Sequence, residues 1–220
     1  NRHCEVHVAV SDGALGLGLV EGLPVEIAAF EQFIDDVVAG TQEWYQNGEL
    51  HRDGDKPAVV IANGRRMLWC QNGELHRDGD LPAAVGPNGQ EWYQNGLLHR
   101  DGDLPADICA DGTQRWYKHG RQHRDGDLPA IIQANGEQQW WKNDQIHRDG
   151  DMPAVIWENG TQCWWKHNRL HRADDLPAVI EVDGKRQWWK NGKRHREDDL
   201  PAVVGADGHH EWYRNGKHIR

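Results

Sequence analysis

The octet HRDGDLPA stands at 99–106 and again at 123–130, and close copies precede and follow it. The His of each copy falls at His51, His76, His99, His123, His147, His171 and His195, so the spacings are 25, 23, 24, 24, 24 and 24. A fixed period decides the architecture before any element is assigned, because each copy folds alike and buries its apolar face against the next. Tryptophan precedes the His by seven residues at Trp44, Trp69, Trp92, Trp116, Trp140, Trp164 and Trp188. Trp212 holds the same register in a closing partial copy, EWYRNGKHIR, with Ile219 in place of His. Proline follows the His by six residues, from Pro57 to Pro201.

Two Asx-Gly pairs punctuate a typical copy, for example Asn95-Gly96 and Asp111-Gly112, and both suit two-residue type I′ hairpin turns requiring positive φ. Three copies break the first pair, as His119-Gly120, Asn143-Asp144 and His167-Asn168, which reads as a weaker turn. Folding at Asn191-Gly192 sets Lys190 opposite Lys193, Trp189 opposite Arg194, Trp188 opposite His195 and Gln187 opposite Arg196. One face then carries the Trp–His pair. The other carries the second aromatic opposite a usually apolar residue, as with Tyr45 and Leu50, Tyr93 and Leu98, and Trp165 and Leu170.

The LPAVI stretch supplies an apolar strand whose Pro suits a strand start or a bulge. A bent strand through HR-DGDL-PAVI leaves two strands per copy and gives every copy the same environment. The expected fold is all-β: an elongated array of stacked antiparallel β-hairpin repeats over 41–220, seven copies and a partial eighth. Residues 1–40 read differently, as an N-terminal cap or the end of a preceding domain. CEVHVAV alternates like a strand, ALGLGLVEG is a link, and Ile27, Phe30, Ile34 and Val37 form the stripe of a helix around 26–38.

The apolar fraction is 37%, below the roughly 45–50% of ordinary globular chains. With 12 Trp and only two Phe, large rings must do most of the burying, so the Trp rows read as packing rather than as a carbohydrate-stacking platform. A formal charge of −10 argues against nucleic acid or an anionic membrane as the main partner. Cys4, Cys70, Cys109 and Cys163 share neither a CxxC spacing nor a repeat position, so no disulfide framework or zinc site is suggested and a reducing, cytoplasmic setting is expected. No run approaches the ~18 apolar residues of a membrane span, and the first residues, NRHCEV, lack a signal pattern.

The aromatic pair, the Asn-Gly turn and the 24-residue period together resemble MORN-type repeat proteins, and more closely a divergent variant with HRDGDLPA found in large DNA viruses and some bacteria. The likeness covers about 41–220. It implies an elongated β-hairpin array serving as a scaffold or protein-binding surface. The usual G-x-G spacing after the aromatic is replaced here by HRDGDLPA.

Two carboxylates beside His and Arg invite a calcium reading, with ligands drawn from adjacent loops. The alternative is that Arg and Asp form ion pairs between repeats and that Asp caps the backbone of the bend. Copies at 171–175 and 195–199 read HRADD and HREDD, keeping only His, Arg and the last Asp, which favours the structural alternative. The candidate joint residues are therefore His51, Arg52, Asp55, His76, Arg77, Asp80, His99, Arg100, Asp103, His123, Arg124, Asp127, His147, Arg148, Asp151, His171, Arg172, Asp175, His195, Arg196 and Asp199. No cofactor or metal is expected, and a row of His at one strand position is too widely spaced for tetrahedral zinc. No GxSxG, HExxH or phosphate-cradling Gly-rich loop is present, so no enzyme is expected. The expected partner is another protein or a second copy of the chain, giving a homo-oligomer, bound through the sheet face or an uncapped edge. The competing expectation is calcium or carbohydrate held by the Asp loops or the Trp rows.

Overall fold

A computed structural model describes residues 40–220, and the strand, link and helix expected in the N-terminal segment lie outside the described residues. Every regular element among the described residues is a short β-strand. The chain divides into two compact units, one ending at Leu97 and one running Leu98–Arg220.

The strands obey one antiparallel order. In the first unit Thr41–Glu43, Val59–Ile61, Arg66–Leu68, Ala84–Gly86 and Gly89–Glu91 pair in that sequence. In the second, ten strands follow one another from Asp107–Cys109 to His210–Glu211. Each repeat gives this ladder the β-branched end of its PAVI stretch, as in Val179–Ile180, and the residues before its Trp, as in Arg186–Gln187. Pro lies just outside the ladder, where its missing N–H takes no bond away.

The Trp hairpins are separate from the ladder. Trp189 pairs with Arg194 and Lys190 with Lys193, the register expected from the Asn-Gly turn. Tyr45 faces Leu50 and Trp165 faces Leu170. The pairing stops at Trp188, whose carbonyl accepts the His195 N–H at 3.0 Å. Gln187 does not face Arg196: it lies in the ladder between Val179 and Val203. A typical repeat therefore holds four short strands, not two, because the chain turns at Trp and again in the Asp loop instead of running through them.

The two turns also differ in kind. At the hairpin tips both central residues take positive φ, as in Asn191 (52°) and Gly192 (79°), which is the type I′ pattern. Its three altered copies keep that turn, with Asn143 at 49° and Asp144 at 63°. There Asp144 Oδ1 accepts the Gln122 N–H of the preceding repeat at 2.8 Å, and Asn168 Oδ1 accepts that of Ile146 at 2.7 Å. These bonds offset the αL strain that Gly would avoid. At Asn63 (53°) and Gly64 (87°) the first ladder turn keeps the type I′ pattern, but the ladder turns of the second unit do not. Asp111 Oδ1 accepts the Thr113 N–H at 2.8 Å, Gly112 alone takes positive φ, and its N–H returns to the Cys109 carbonyl. This is a type I turn closed by an αL glycine, because the Asx side chain holds its own residue out of αL.

The core is thin. The residues with no exposed surface are alanines: Ala58, Ala83, Ala106, Ala130, Ala154, Ala178 and Ala202. Beside them lie Trp69, Trp92, Trp116, Trp140, Trp164 and Trp188, all buried, whereas Trp44 and Trp212 are half-buried. The second aromatics contribute too: Trp165 and Trp189 pack with Ile146 and Leu170 against Val155, Cys163 and Val179. Cys70 and Cys163 are buried free thiols and Cys109 a half-buried one.

Candidate functional site: the joint between repeats

Alanine fixes the backbone of the joint. In the ladder, Ala154 donates its N–H to Cys163 and accepts that of Trp140, at 2.9 and 2.8 Å, and Ala178 does the same with Gln187 and Trp164. Each Trp is thus tied to the strand that follows its own Asp loop. The arginine eight residues after the Trp then stands over the ring, with the Arg77 Cζ 3.8 Å from the Trp69 centroid, that of Arg148 3.9 Å from Trp140 and that of Arg196 3.8 Å from Trp188. Arg52, Arg124 and Arg172 stand likewise over Trp44, Trp116 and Trp164. One guanidinium nitrogen also donates to the proline carbonyl five residues on, as Arg148 does to Pro153 at 3.1 Å.

The remaining nitrogens reach back one repeat. Arg77 forks onto Asp55, Arg124 onto Asp103, Arg148 onto Asp127, Arg172 onto Asp151 and Arg196 onto Asp175, each through two nitrogens at 2.5–3.0 Å. In the partial copy Arg220 takes the same place on Asp199 at 2.9 Å. Arg hydrogen bonding holds the carboxyls of Asp55, Asp103, Asp127 and Asp151 below the usual carboxylate range, against a smaller opposing push from burial. Where Gly is lost from the loop, Asp174 (59°) and Asp198 (56°) occupy its αL conformation.

Five of the seven last Asp residues of these loops have a second use. The carbonyls of Asp55, Asp80, Asp103, Asp175 and Asp199 accept the indole N–H of Trp69, Trp92, Trp116, Trp188 and Trp212 in the next repeat, at 2.9–3.3 Å. Those five Asp have φ of 52–55°. Asp127 and Asp151 do not share that conformation, and the indole N–H groups of Trp140 and Trp164 are the ones left without an acceptor.

The histidines face the same way along the chain. Nδ1 of His51, His76, His99, His123, His147, His171 and His195 accepts the N–H of the first turn residue of the next repeat, at 3.1–3.4 Å. An accepting Nδ1 places the proton on Nε2, which lies 3.0–3.2 Å from the carboxylate two residues on in His51, His76, His99, His123 and His147. His195 has Glu197 at 2.7 Å, and His171 has Ala173 in that place. Where the turn residue is itself His, the rings stack: His99 on His119 and His147 on His167, both at 4.3 Å.

The structure therefore brings the sequence-selected His, Arg, Asp and Trp residues into one contact set. Sequence reasoning missed the seven alanines and the proline carbonyls. Alanine stands seven residues after the His in every full copy, a signal as regular as the Trp. Among the described residues no three His, Cys, Asp or Glu side chains are grouped to hold a metal ion, and no helix is long and apolar enough to cross a membrane. No protein-family model matches the chain, and no curated protein does.

Proposed function

We propose that the chain is a non-catalytic, MORN-like repeat scaffold that binds protein, either a partner or a second copy of itself. The observation that carries this reading is an apolar side chain left exposed at one repeat position. Leu104, Leu128, Met152, Leu176 and Leu200, each just before the Pro, are 39–49% exposed. Ladder strands lie about 4.8 Å apart and each repeat contributes two, so this position recurs about every 10 Å. The polar side chains of the same loops are engaged in the joint, which leaves the Leu row as the regular, unsatisfied feature of the second unit. Calcium binding is less well supported, because the carboxylates it requires are already held by Arg and His.

The test is static light scattering over a concentration series, on the wild type and on a Leu128→Ser, Met152→Ser, Leu176→Ser variant. A mass that rises with concentration in the wild type and stays monomeric in the variant supports assembly through this row. A wild type monomeric throughout removes the self-association form. A melting temperature raised by Ca²⁺ and lowered by EDTA would put the ion-binding reading ahead.

A further inference from the structure

The hairpins of the two units present opposite chemistry at equivalent positions. The cross-strand pair at the tip is Gln46 with Glu49 and Gln71 with Glu74 in the first unit. In the second it is Lys118 with Arg121, Lys166 with Arg169, Lys190 with Lys193 and Arg214 with Lys217, with Lys142 opposite Gln145 as the exception. Like charges directly across a strand pair oppose folding. Four such pairs in a chain of net charge −10 are a local concentration of positive charge.

Consecutive tips lie against each other. Gly192 donates its N–H to the Leu170 carbonyl and Gly216 donates to that of Arg194, both at 2.9 Å. A Cβ built on either glycine would touch Arg169 or Lys193 at 3.7 Å. The result is an open groove of about 440 Å³ lined by Arg169, Lys190, Lys193 and Arg214, with Asn191, Asn215 and His195, and with Glu197 as its one carboxylate. Elsewhere the first Lys of the pair is neutralised by the Asp loop, as Lys118 is by Asp125 and Lys142 by Asp149. Lys190 has Glu197 at 3.2 Å, but at the loop position that would serve Lys166 the chain has Ala173. Lys166 and Lys190 also help lower the pKa of His171 beneath them, after burial itself.

We propose that this groove binds an extended acidic segment of a protein, with Glu or Asp side chains at about every third residue. Two basic residues recur at each tip from Lys166 to Lys217, about every 10 Å, and an extended peptide advances about 3.3 Å per residue, so one carboxylate in three meets each step. Arginines 169 and 214 offer the planar fork that suits carboxylates. Single-stranded nucleic acid is disfavoured, because it needs exposed rings for base stacking and Trp164 and Trp188 are buried under Arg172 and Arg196. This surface is distinct from the Leu row and extends the interaction reading to a partner of defined charge.

The experiment is fluorescence anisotropy with a labelled (Glu-Gly-Ser)5 peptide, its Gln counterpart and a 15-mer oligothymidylate, at 50 and 200 mM salt. The Glu peptide should bind, weaken with salt, and outcompete the other two. Arg169→Glu with Lys193→Glu should weaken it at least tenfold, while the charge-matched control Lys56→Glu with Lys185→Glu should change it less than twofold. The Leu128→Ser, Met152→Ser, Leu176→Ser variant should bind the peptide as the wild type does, so loss of the Leu-row reading leaves this one standing. No binding by the Glu peptide, equal weakening by the control, or tighter binding of oligothymidylate would each overturn the proposal.

Discussion

The guanidinium of Arg148 lies 3.9 Å above the Trp140 ring and, from the same position, forks onto Asp127 of the preceding repeat. The arginine side chain is only 9% exposed and the aspartate 61%. That asymmetry decides which partner matters. A solvent-exposed carboxylate is screened and contributes little, whereas the covered guanidinium loses the ring and the Pro153 carbonyl when removed.

Arg148→Ala should therefore cost about 2 kcal/mol in urea unfolding, and Asp127→Asn less than about 1 kcal/mol. Arg148→Lys should fall between them, keeping the charge but losing the fork and the planar group over the ring. Equal losses for Arg148→Ala and Asp127→Asn would show instead that the ion pair carries the joint.

His171 makes the array sensitive to pH. Its Nδ1 accepts the Asn191 N–H at 3.2 Å, a bond that protonation abolishes, and Lys166 and Lys190 face it with no carboxylate at position 173. Burial first, and then the two lysines, set its pKa below 6.5. As pH falls through about 6.5 the unfolded chain gains the proton first, so stability declines until the lower, folded pKa is passed and is level beneath it. Asp149 adds a separate loss: Lys142, then His147, hold its pKa at about 2, so its contribution is full above 3.8 and is lost as pH falls from 3.8 to about 2. Ala173→Asp should give His171 the carboxylate the other copies have and raise its pKa in an NMR titration. The thermal midpoint should then fall less between pH 7.5 and 5.5. Identical profiles for the two proteins would refute this account.

The buried alanines set a steric limit. Ala154 has no exposed surface, and both its N–H and C=O are bonded to neighbouring strands. Ala154→Leu should lower stability by about 1–3 kcal/mol through overpacking, with Ala154→Val milder, read by denaturant midpoint. The exposed Leu128, changed to Ser, should shift stability by less than about 0.5 kcal/mol.

Period and turn chemistry made most of the fold legible, since Asn191-Gly192 admits few hairpins and the predicted Trp189–Arg194 register is the observed one. The ladder turns of the second unit misled because Asp111-Gly112 is written like a type I′ pair, and the Asp111 bond to Thr113 keeps Asp111 out of αL. Gln187 misled for a related reason. Strict alternation continues through Trp188, but the backbone leaves the hairpin there to pair with the ladder. The joint was legible residue by residue in His, Arg and Asp, yet its direction was not. That Arg124 reaches back to Asp103 rather than to its own Asp127 depends on strand order, which no single copy encodes.

The octets at 99–106 and 123–130 are identical in sequence but not in conformation, and their tryptophan partners should report it. Asp103 has φ of 55° and turns its carbonyl to the Trp116 indole at 3.1 Å; Asp127 lacks positive φ and Trp140 has no acceptor. The same split separates Asp175 with Trp188 from Asp151 with Trp164. Buried N–H groups without acceptors are costly by about 1–3 kcal/mol, so the two loop states are close in energy only if the αL strain at Asp, of comparable size, is what the bond offsets. In a ¹⁵N-indole spectrum Trp116 and Trp188 should resonate downfield of Trp140 and Trp164. Asp127→Asn, which tolerates αL more readily, should move the Trp140 signal toward the bonded pair. Four coincident indole resonances, unmoved by that substitution, would mean that all these loops share one conformation in solution.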